Sequence, residues 1–317
     1  MRVRATLLSI TAFAIVAAPP GLRAQGQNPA LAGHTFVPNS MIESPFIASH
    51  FRSLVGAASA FGYNILTVPI YEDSVIDVEG QMTWVLVEFA YRQKVASWLS
   101  LEGSMTAGAR VGTNTAAALS DGVSVISALE LGGLARVFET ERVTGSASLD
   151  ARYSGVTLLN VIGFVEEVID SVEAGGPLDS IGLSSKRGAF QGRGGFRLAY
   201  APARVVGFTF LGELGVGEDY SEVEETALDV TLGGTVDINL RSIGKAPFGF
   251  IATYRFSTFT NRSEDTDGQS HLGLFGVSYM GSKDFSVGLE FQWETTPLAD
   301  GDNLNMVGLG IRSRYYF

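Results

Sequence analysis

The stretch LSLEGSMTAGARV, residues 99–111, alternates along its whole length. Leu99, Leu101, Gly103, Met105, Ala107, Ala109 and Val111 fall on one side, and Ser100, Glu102, Ser104, Thr106, Gly108 and Arg110 on the other. Successive side chains of a strand point to opposite faces, so one face is uncharged and the other polar. The run is longer than an ordinary strand of about five or six residues. It suits the roughly 9–11 tilted residues with which a strand crosses a bilayer.

The same pattern recurs at 142–154, 228–241 and 285–294. Strands are predicted near 81–92, 96–111, 124–138, 142–154, 189–201, 203–216, 227–241, 246–259, 269–281, 284–295 and 304–317. Short links at 93–94, 139–141, 201–202, 242–244 and 281–283 alternate with longer ones at 112–123, 155–188, 217–226, 260–268 and 296–303. That rhythm is the one expected of periplasmic turns and outer loops. Bacterial single-chain barrels usually hold an even number of strands, so a further strand is placed at Pro45 to Ala60, with Ile47, Phe51 and Val55 on one face. The fold class is all-β, a transmembrane antiparallel up-and-down β-barrel of about twelve strands over 45–317.

Ahead of it, Arg2 and Arg4 precede an apolar run from Ala5 to Ala18, and Leu22-Arg23-Ala24 ends on a small residue. This is the order of a secretory signal over 1–24, leaving 25–44 as an N-terminal periplasmic segment. The chain has 38 Gly and no Cys, 46% hydrophobic and 17% charged residues, and a net charge of −11 that becomes −14 once Arg2, Arg4 and Arg23 are removed. Absence of Cys excludes a disulfide framework and a thiol nucleophile, and the acidic balance excludes a nucleic-acid partner. No metal or cofactor is expected.

At the end of the chain Val307, Leu309, Ile311, Ser313, Tyr315 and Phe317 share a face, and the last residue is aromatic. Here the sequence resembles the bacterial outer-membrane β-barrel family, porin- and transporter-like. The resemblance implies that Tyr315 and Phe317 form the signal read by the barrel-assembly machinery, and that the chain sits in the outer membrane of a Gram-negative-type bacterium. Its partners are then membrane lipid, lipopolysaccharide and a small-molecule solute. Where the family often has Gly, this chain has Arg312.

The strand phases turn Arg92, Arg110, Arg136, Arg152, Arg193, Arg197, Arg241, Arg255, Arg312 and Arg314 inward, with Glu88, Glu102, Glu130, Asp150, Glu213, Asp229, Asp237, Glu290 and Glu294. Only Arg204 falls on the lipid face, at a turn. A charge facing lipid at mid-depth costs about 2–4 kcal/mol, so the segregation is expected. Opposite charges across a narrow lumen either form a ladder that closes it or line a narrow wet pore. Strong selectivity for one sign of ion is not expected. Aromatics gather near the strand ends of the apolar face, with Tyr91, Tyr200, Phe248, Tyr279, Phe285, Tyr315 and Phe317 on the turn side and Tyr153, Phe190 and Trp293 on the loop side, as interfacial girdles do.

In loop 155–188, Leu158, Leu159, Ile162, Phe164, Val165, Val168 and Ile169 recur at helical spacing before Gly175-Gly176-Pro177. This predicts an amphipathic helix that either caps the mouth or constricts it. Tyr63 to Tyr71 is expected in the first outer loop as its packing partner. Gly192-Arg193-Gly194-Gly195 is followed by strand alternation rather than a helix, so it is not a phosphate loop; its glycines ease packing or curvature. No His lies in a His-x-Ser pair, and His271 with Asp265 and Asp267 is the sole candidate for a rim hydrolase. No enzyme is expected. The sequence supports an outer-membrane channel for passive passage of small solutes, with a non-conducting structural or adhesion barrel as the alternative.

Overall fold

The computed structural model describes residues 28–71, 74–112, 123–159, 184–218, 226–244, 246–260, 267–297 and 303–317. Two short strands come first, β1 (Ala30–Leu31) and β2 (His34–Thr35), joined through Ala32 and Gly33, both at positive φ. Positive φ at both central residues is what a two-residue hairpin turn needs. The barrel follows as β3 (His50–Tyr71), β4 (Ser74–Ala96), β5 (Leu99–Gly112), β6 (Val123–Glu139), β7 (Val143–Leu159) and β8 (Ser184–Tyr200). It continues as β9 (Val206–Glu218), β10 (Thr226–Asn239), β11 (Phe248–Thr260), β12 (Asp267–Tyr279), β13 (Phe285–Pro297) and β14 (Asn303–Tyr316).

Each barrel strand pairs antiparallel with its chain neighbours, and β14 closes onto β3 from Asn305↔Phe61 to Tyr316↔His50. The result is a closed barrel of twelve strands. The strands run from 13 residues in β9 to 23 in β4, enough to cross a bilayer when tilted. Apolar side chains point outward along every strand and stay exposed: Leu131, Leu149, Leu214 and Ile311 are 58–74% exposed. An apolar belt of this extent requires a non-aqueous surround.

Short turns join β4 to β5, β6 to β7, β8 to β9, β10 to β11 and β12 to β13, and Asn28 and Phe317 lie at that same end. The turn after β10 is a 3-10 helix over Leu240–Ile243, capped by Asn239 and closed by Gly244 at φ 72°. At the opposite end the strands extend further than the sequence suggested. The first barrel strand starts at His50 rather than Pro45 and runs to Tyr71, so residues 63–71 are strand and not loop. Likewise β7 continues through Leu158 and Leu159, which pair with Ser185 and Ser184. These two are strand residues, because backbone pairing with β8 is available there. Ile162, Phe164, Val165, Val168 and Ile169 lie outside the described residues.

Residues 28–44, expected as a segment outside the barrel, are instead inside it. They enter the lumen from the short-turn end, rise to an apex at Asn39–Ile42, and return through Pro45 and Ser49 into β3. Asn39 Oδ1 makes the reversal by accepting from the backbone N–H groups of Met41 (3.0 Å) and Ile42 (2.6 Å), the local bonding that suits Asn to turns.

Candidate functional site

Register builds the lumen. Antiparallel pairing sets Arg314 of β14 opposite Arg52 of β3, and Arg92 of β4 opposite Glu102 of β5. Three guanidiniums therefore crowd one wall near the short-turn end. Glu43, carried on the returning limb of the segment, inserts among them. It accepts from Arg92 Nη2 at 3.1 Å and Arg314 Nη2 at 3.2 Å, and pairs with Arg52. Arg52 also pairs with Glu88, and Arg92 Nε reaches Glu102 Oε2 at 2.6 Å. Burial alone would raise the Glu43 carboxyl, but Arg52, Arg314 and Arg92 more than offset it and hold it well below its ordinary range. A charge buried this way is tolerable only when paired.

A second fastening uses His34, fully buried on β2. Its Nδ1 lies 3.1 Å from the Arg204 carbonyl, which can only accept, so that nitrogen carries a proton. Its Nε2 lies 2.6 Å from Asp237 Oδ1, which also accepts from the Val37 N–H at 3.3 Å. Asn39 Nδ2 donates to Thr235 Oγ1, Asn239 Nδ2 to the Thr35 carbonyl, and Ser146 Oγ to the Pro45 carbonyl. Apolar contacts complete the seat, with Val37 among Ile251, Leu274 and Met280, and Phe36 and Phe46 against Ala199 and Ala201. Among the described residues the segment touches β3, β4, β7, β8, β10, β11, β12 and β14. The void lined by Phe36, Val37, Thr209, Arg314 and Tyr316 measures about 10 Å³, at the lower edge of what one water needs.

The wall is cleared for it. Inward positions Gly207, Gly233 and Gly249 lie where a Cβ would meet His34 and Asp237, Ile42, and Val37 respectively. Glycine here supplies space, not curvature.

The other sequence-selected charges occupy distinct places. Arg312 Nε meets Glu290 Oε1 at 2.6 Å and its Nη2 donates to Ser278. Arg197 reaches Glu213 at 3.2 Å and Asp150 at 3.8 Å, and Arg193 pairs with Glu130. Arg110 donates to Ser124, while Glu294 accepts from Ser270. By strand register Arg152, Asp229 and Arg255 share the inward face. Arg136 sits at the rim with Glu139 and the Ser97 carbonyl, and Arg241 ties the turns by donating to the Met280 and Ser282 carbonyls. Arg204, expected toward lipid, lies in the β8–β9 turn with its side chain against Gly33. His271 is on the outward face, bonded to Tyr254 Oη at 2.7 Å; Asp265 lies outside the described residues.

Beyond the segment's apex the lumen opens into a cavity of about 230 Å³, floored by Ser40. Leu54, Trp84, Leu86 and Met306 line one side and Glu290, Gln292 and Glu294 another. It exists because Gly56, Ala58 and Gly310 face inward there with nothing beyond a Cβ.

No family model matches the chain, and no curated protein matches it. Among solved structures, the beta domain of the Bordetella autotransporter BrkA gives a TM-score of 0.51 at 11% identity, over 85% of this chain and 100% of that one. An outer membrane channel from Pseudomonas putida F1 also gives 0.51, at 10% identity, over 89% of this chain and 100% of that one. The fold is that of an outer-membrane β-barrel. At such identities the likeness extends to fold alone. Within this outer-membrane barrel, strand phase, which also read Arg136 and Arg241 as lumen-lining, missed Arg52, Glu43 and His34. Arg52 followed a weakly alternating start, and the other two lie in a segment with no periodicity. The inward apolar group Leu54, Trp84, Leu86 and Met306 was missed too, though their phase opposite Val55, Val85 and Val307 was readable.

Proposed function

We propose that the protein is an outer-membrane channel for small solutes, closed at rest by its own N-terminal segment. The observation that carries this reading is the set of inward glycines at 207, 233 and 249, which leave room for a segment that is not part of the wall. A twelve-strand lumen is somewhat wider than the eight-strand barrels that side chains fill. Closing it with a separate segment, fastened largely by polar links, leaves a route to opening that a lumen filled by wall side chains lacks. The short turns then face the cell interior and the girdle aromatics meet the headgroups. Tyr315, stacked on Phe317, and Phe317, stacked on Tyr91, serve barrel assembly.

A non-conducting barrel is the second reading, favoured by the close seat of residues 28–44 in the lumen, where the void beside Phe36 and Val37 measures only about 10 Å³. Planar-bilayer recording separates the two. The intact chain should be mostly silent, and a variant lacking residues 28–44 that retains heat-modifiable migration should give discrete open steps. Silence from both proteins would leave the structural barrel as the better account.

A further inference from the structure

We infer that the cavity over the segment's apex is a binding site for a neutral molecule of one apolar ring carrying a single hydroxyl group. The inference names a solute class for the channel reading and rests on that reading only for its biological use; the site itself is argued from the cavity.

The bed is apolar because three neighbouring strands turn small and aliphatic residues inward together. Gly56, Ala58 and Gly310 leave the space, and Leu54, Trp84 and Leu86 line it with Met306. On the outer side Trp84 and Met306 pack with Ala60, Met82 and Leu304. On the inner side Ser40 is the floor, so the bed is short and suits a compact ring better than an extended chain. An engineered apolar cavity of about 150 Å³ takes up benzene, so about 230 Å³ admits one ring with a short substituent.

The ligand's charge follows from the facing strand. There β13 presents Glu290, Gln292 and Glu294 at alternate positions, and both carboxylates are already matched. Glu290 is held by Arg312 at 2.6 Å and lies in the field of Arg52, and Glu294 faces Arg255 of β11. An ammonium or a carboxylate entering here brings a charge that no counter-ion is left to meet, and burying such a charge is costly. A neutral occupant brings none.

The hydroxyl is placed by Gln292. Its side chain lies across Gly308, where a Cβ would meet Gln292 Nε2 and the Ala58 methyl. The amide therefore stands at the edge of the apolar bed, open to the lumen and without a hydrogen-bond partner among the described residues. It offers a carbonyl oxygen and an amino group, and a hydroxyl can donate to the first or accept from the second. A ring without a polar group displaces water from that amide and returns no hydrogen bond. Since Ser40 at the apex floors the cavity, an occupant lies directly against the part of the segment that reverses the chain.

The test is isothermal titration of the purified intact barrel in detergent with benzyl alcohol, benzylammonium and benzoate at pH 7, with empty micelles as the blank. Benzyl alcohol should bind saturably at one site, at least about tenfold tighter than either ion. Gln292→Leu, close in volume and lacking the amide, should weaken it about threefold to tenfold. Ala58→Phe fills the bed from β3 and should abolish binding while heat-modifiable migration is kept. The chain has no Cys, so Ala58→Cys supplies a single thiol at the cavity and locates the site without relying on the filled variant. Its labelling by a water-soluble methanethiosulfonate should slow as benzyl alcohol is added, whereas labelling of Thr231→Cys, across the lumen on β10, should not change. No saturable binding, an ion bound as tightly as the alcohol, undiminished affinity in Gln292→Leu, or a thiol in Ala58→Cys that benzyl alcohol leaves unprotected would each overturn the assignment. A barrel that conducts once residues 28–44 are removed but never binds the alcohol loses this site and keeps the channel. One that binds the alcohol and never conducts keeps the site and loses the channel.

Discussion

Replacing Glu43 with Gln removes one negative charge from between three buried guanidiniums. Arg52, Arg92 and Arg314 are 7%, 1% and 1% exposed, and Glu43 is 13% exposed. In the variant, Arg52 retains Glu88 and Arg92 retains Glu102, but Arg314 has no other ion pair among the described residues. Breaking a buried pair by removing one partner costs about 3–5 kcal/mol. At about 1.4 kcal/mol per decade, the equilibrium between seated and released segment shifts by roughly two to three and a half decades. The His34–Asp237 fastening and the Val37 contacts remain, so opening is expected to become frequent rather than permanent. Single-channel recording reads this as a rise in open probability, and protease sensitivity of residues 28–49 reads the same release without a membrane. The pH dependence supplies a second check. The seated carboxyl is depressed below its ordinary value near 4.5, so its contribution is fully present above that value and is lost as pH falls toward the seated one. The intact barrel should therefore stay closed between pH 7 and 5 and begin to open in stronger acid. In Glu43→Gln this component is absent, and the difference between the two profiles isolates Glu43 from the other lumen acids. Equal open probabilities and superimposable pH profiles would refute the view that Glu43 holds the segment.

Three further perturbations probe the same arrangement. Gly249→Val places a side chain against Val37, and overpacking of this kind costs about 1–3 kcal/mol; the segment should become more protease-sensitive while heat-modifiable migration is kept. His34→Ala leaves Asp237 buried with the Val37 N–H as its one remaining donor among the described residues, at about 1–3 kcal/mol for the lost hydrogen bond, and the double variant with Asp237→Ala should recover part of the closed fraction. Phe317→Ser removes the ring stacked on Tyr91, and the folded, heat-modifiable fraction recovered from membranes should fall severalfold; full recovery would separate that residue from assembly.

The wall was legible in the sequence because a membrane barrel has few ways to satisfy its backbone and its solvent together. One face of every strand must meet lipid, so phase alone assigns Leu101, Leu149 and Ile311 outward and Glu102, Asp150 and Arg312 inward. Strand ends were less legible, since nothing in local alternation says where pairing stops once both strands leave the bilayer. Hence Leu158 and Leu159, read as the start of a helix, are paired strand residues, and residues 63–71, read as loop, continue β3.

The lumen segment was illegible for a different reason. Residues 28–49 bury themselves through side chains at irregular intervals, against partners some 200 residues away for His34 and 271 away for the Glu43–Arg314 contact. No periodicity records such contacts. A local charge balance does retain a trace of them. Register sets Arg314 opposite Arg52 at the short-turn end, with Arg92 close by on β4. The strand carboxylates there, Glu88 and Glu102, are taken up by Arg52 and Arg92. A buried guanidinium cannot shed its proton, so three arginines against two strand carboxylates point to an acidic residue elsewhere in the chain that enters the lumen. Here that residue is Glu43, in the short stretch before the first strand.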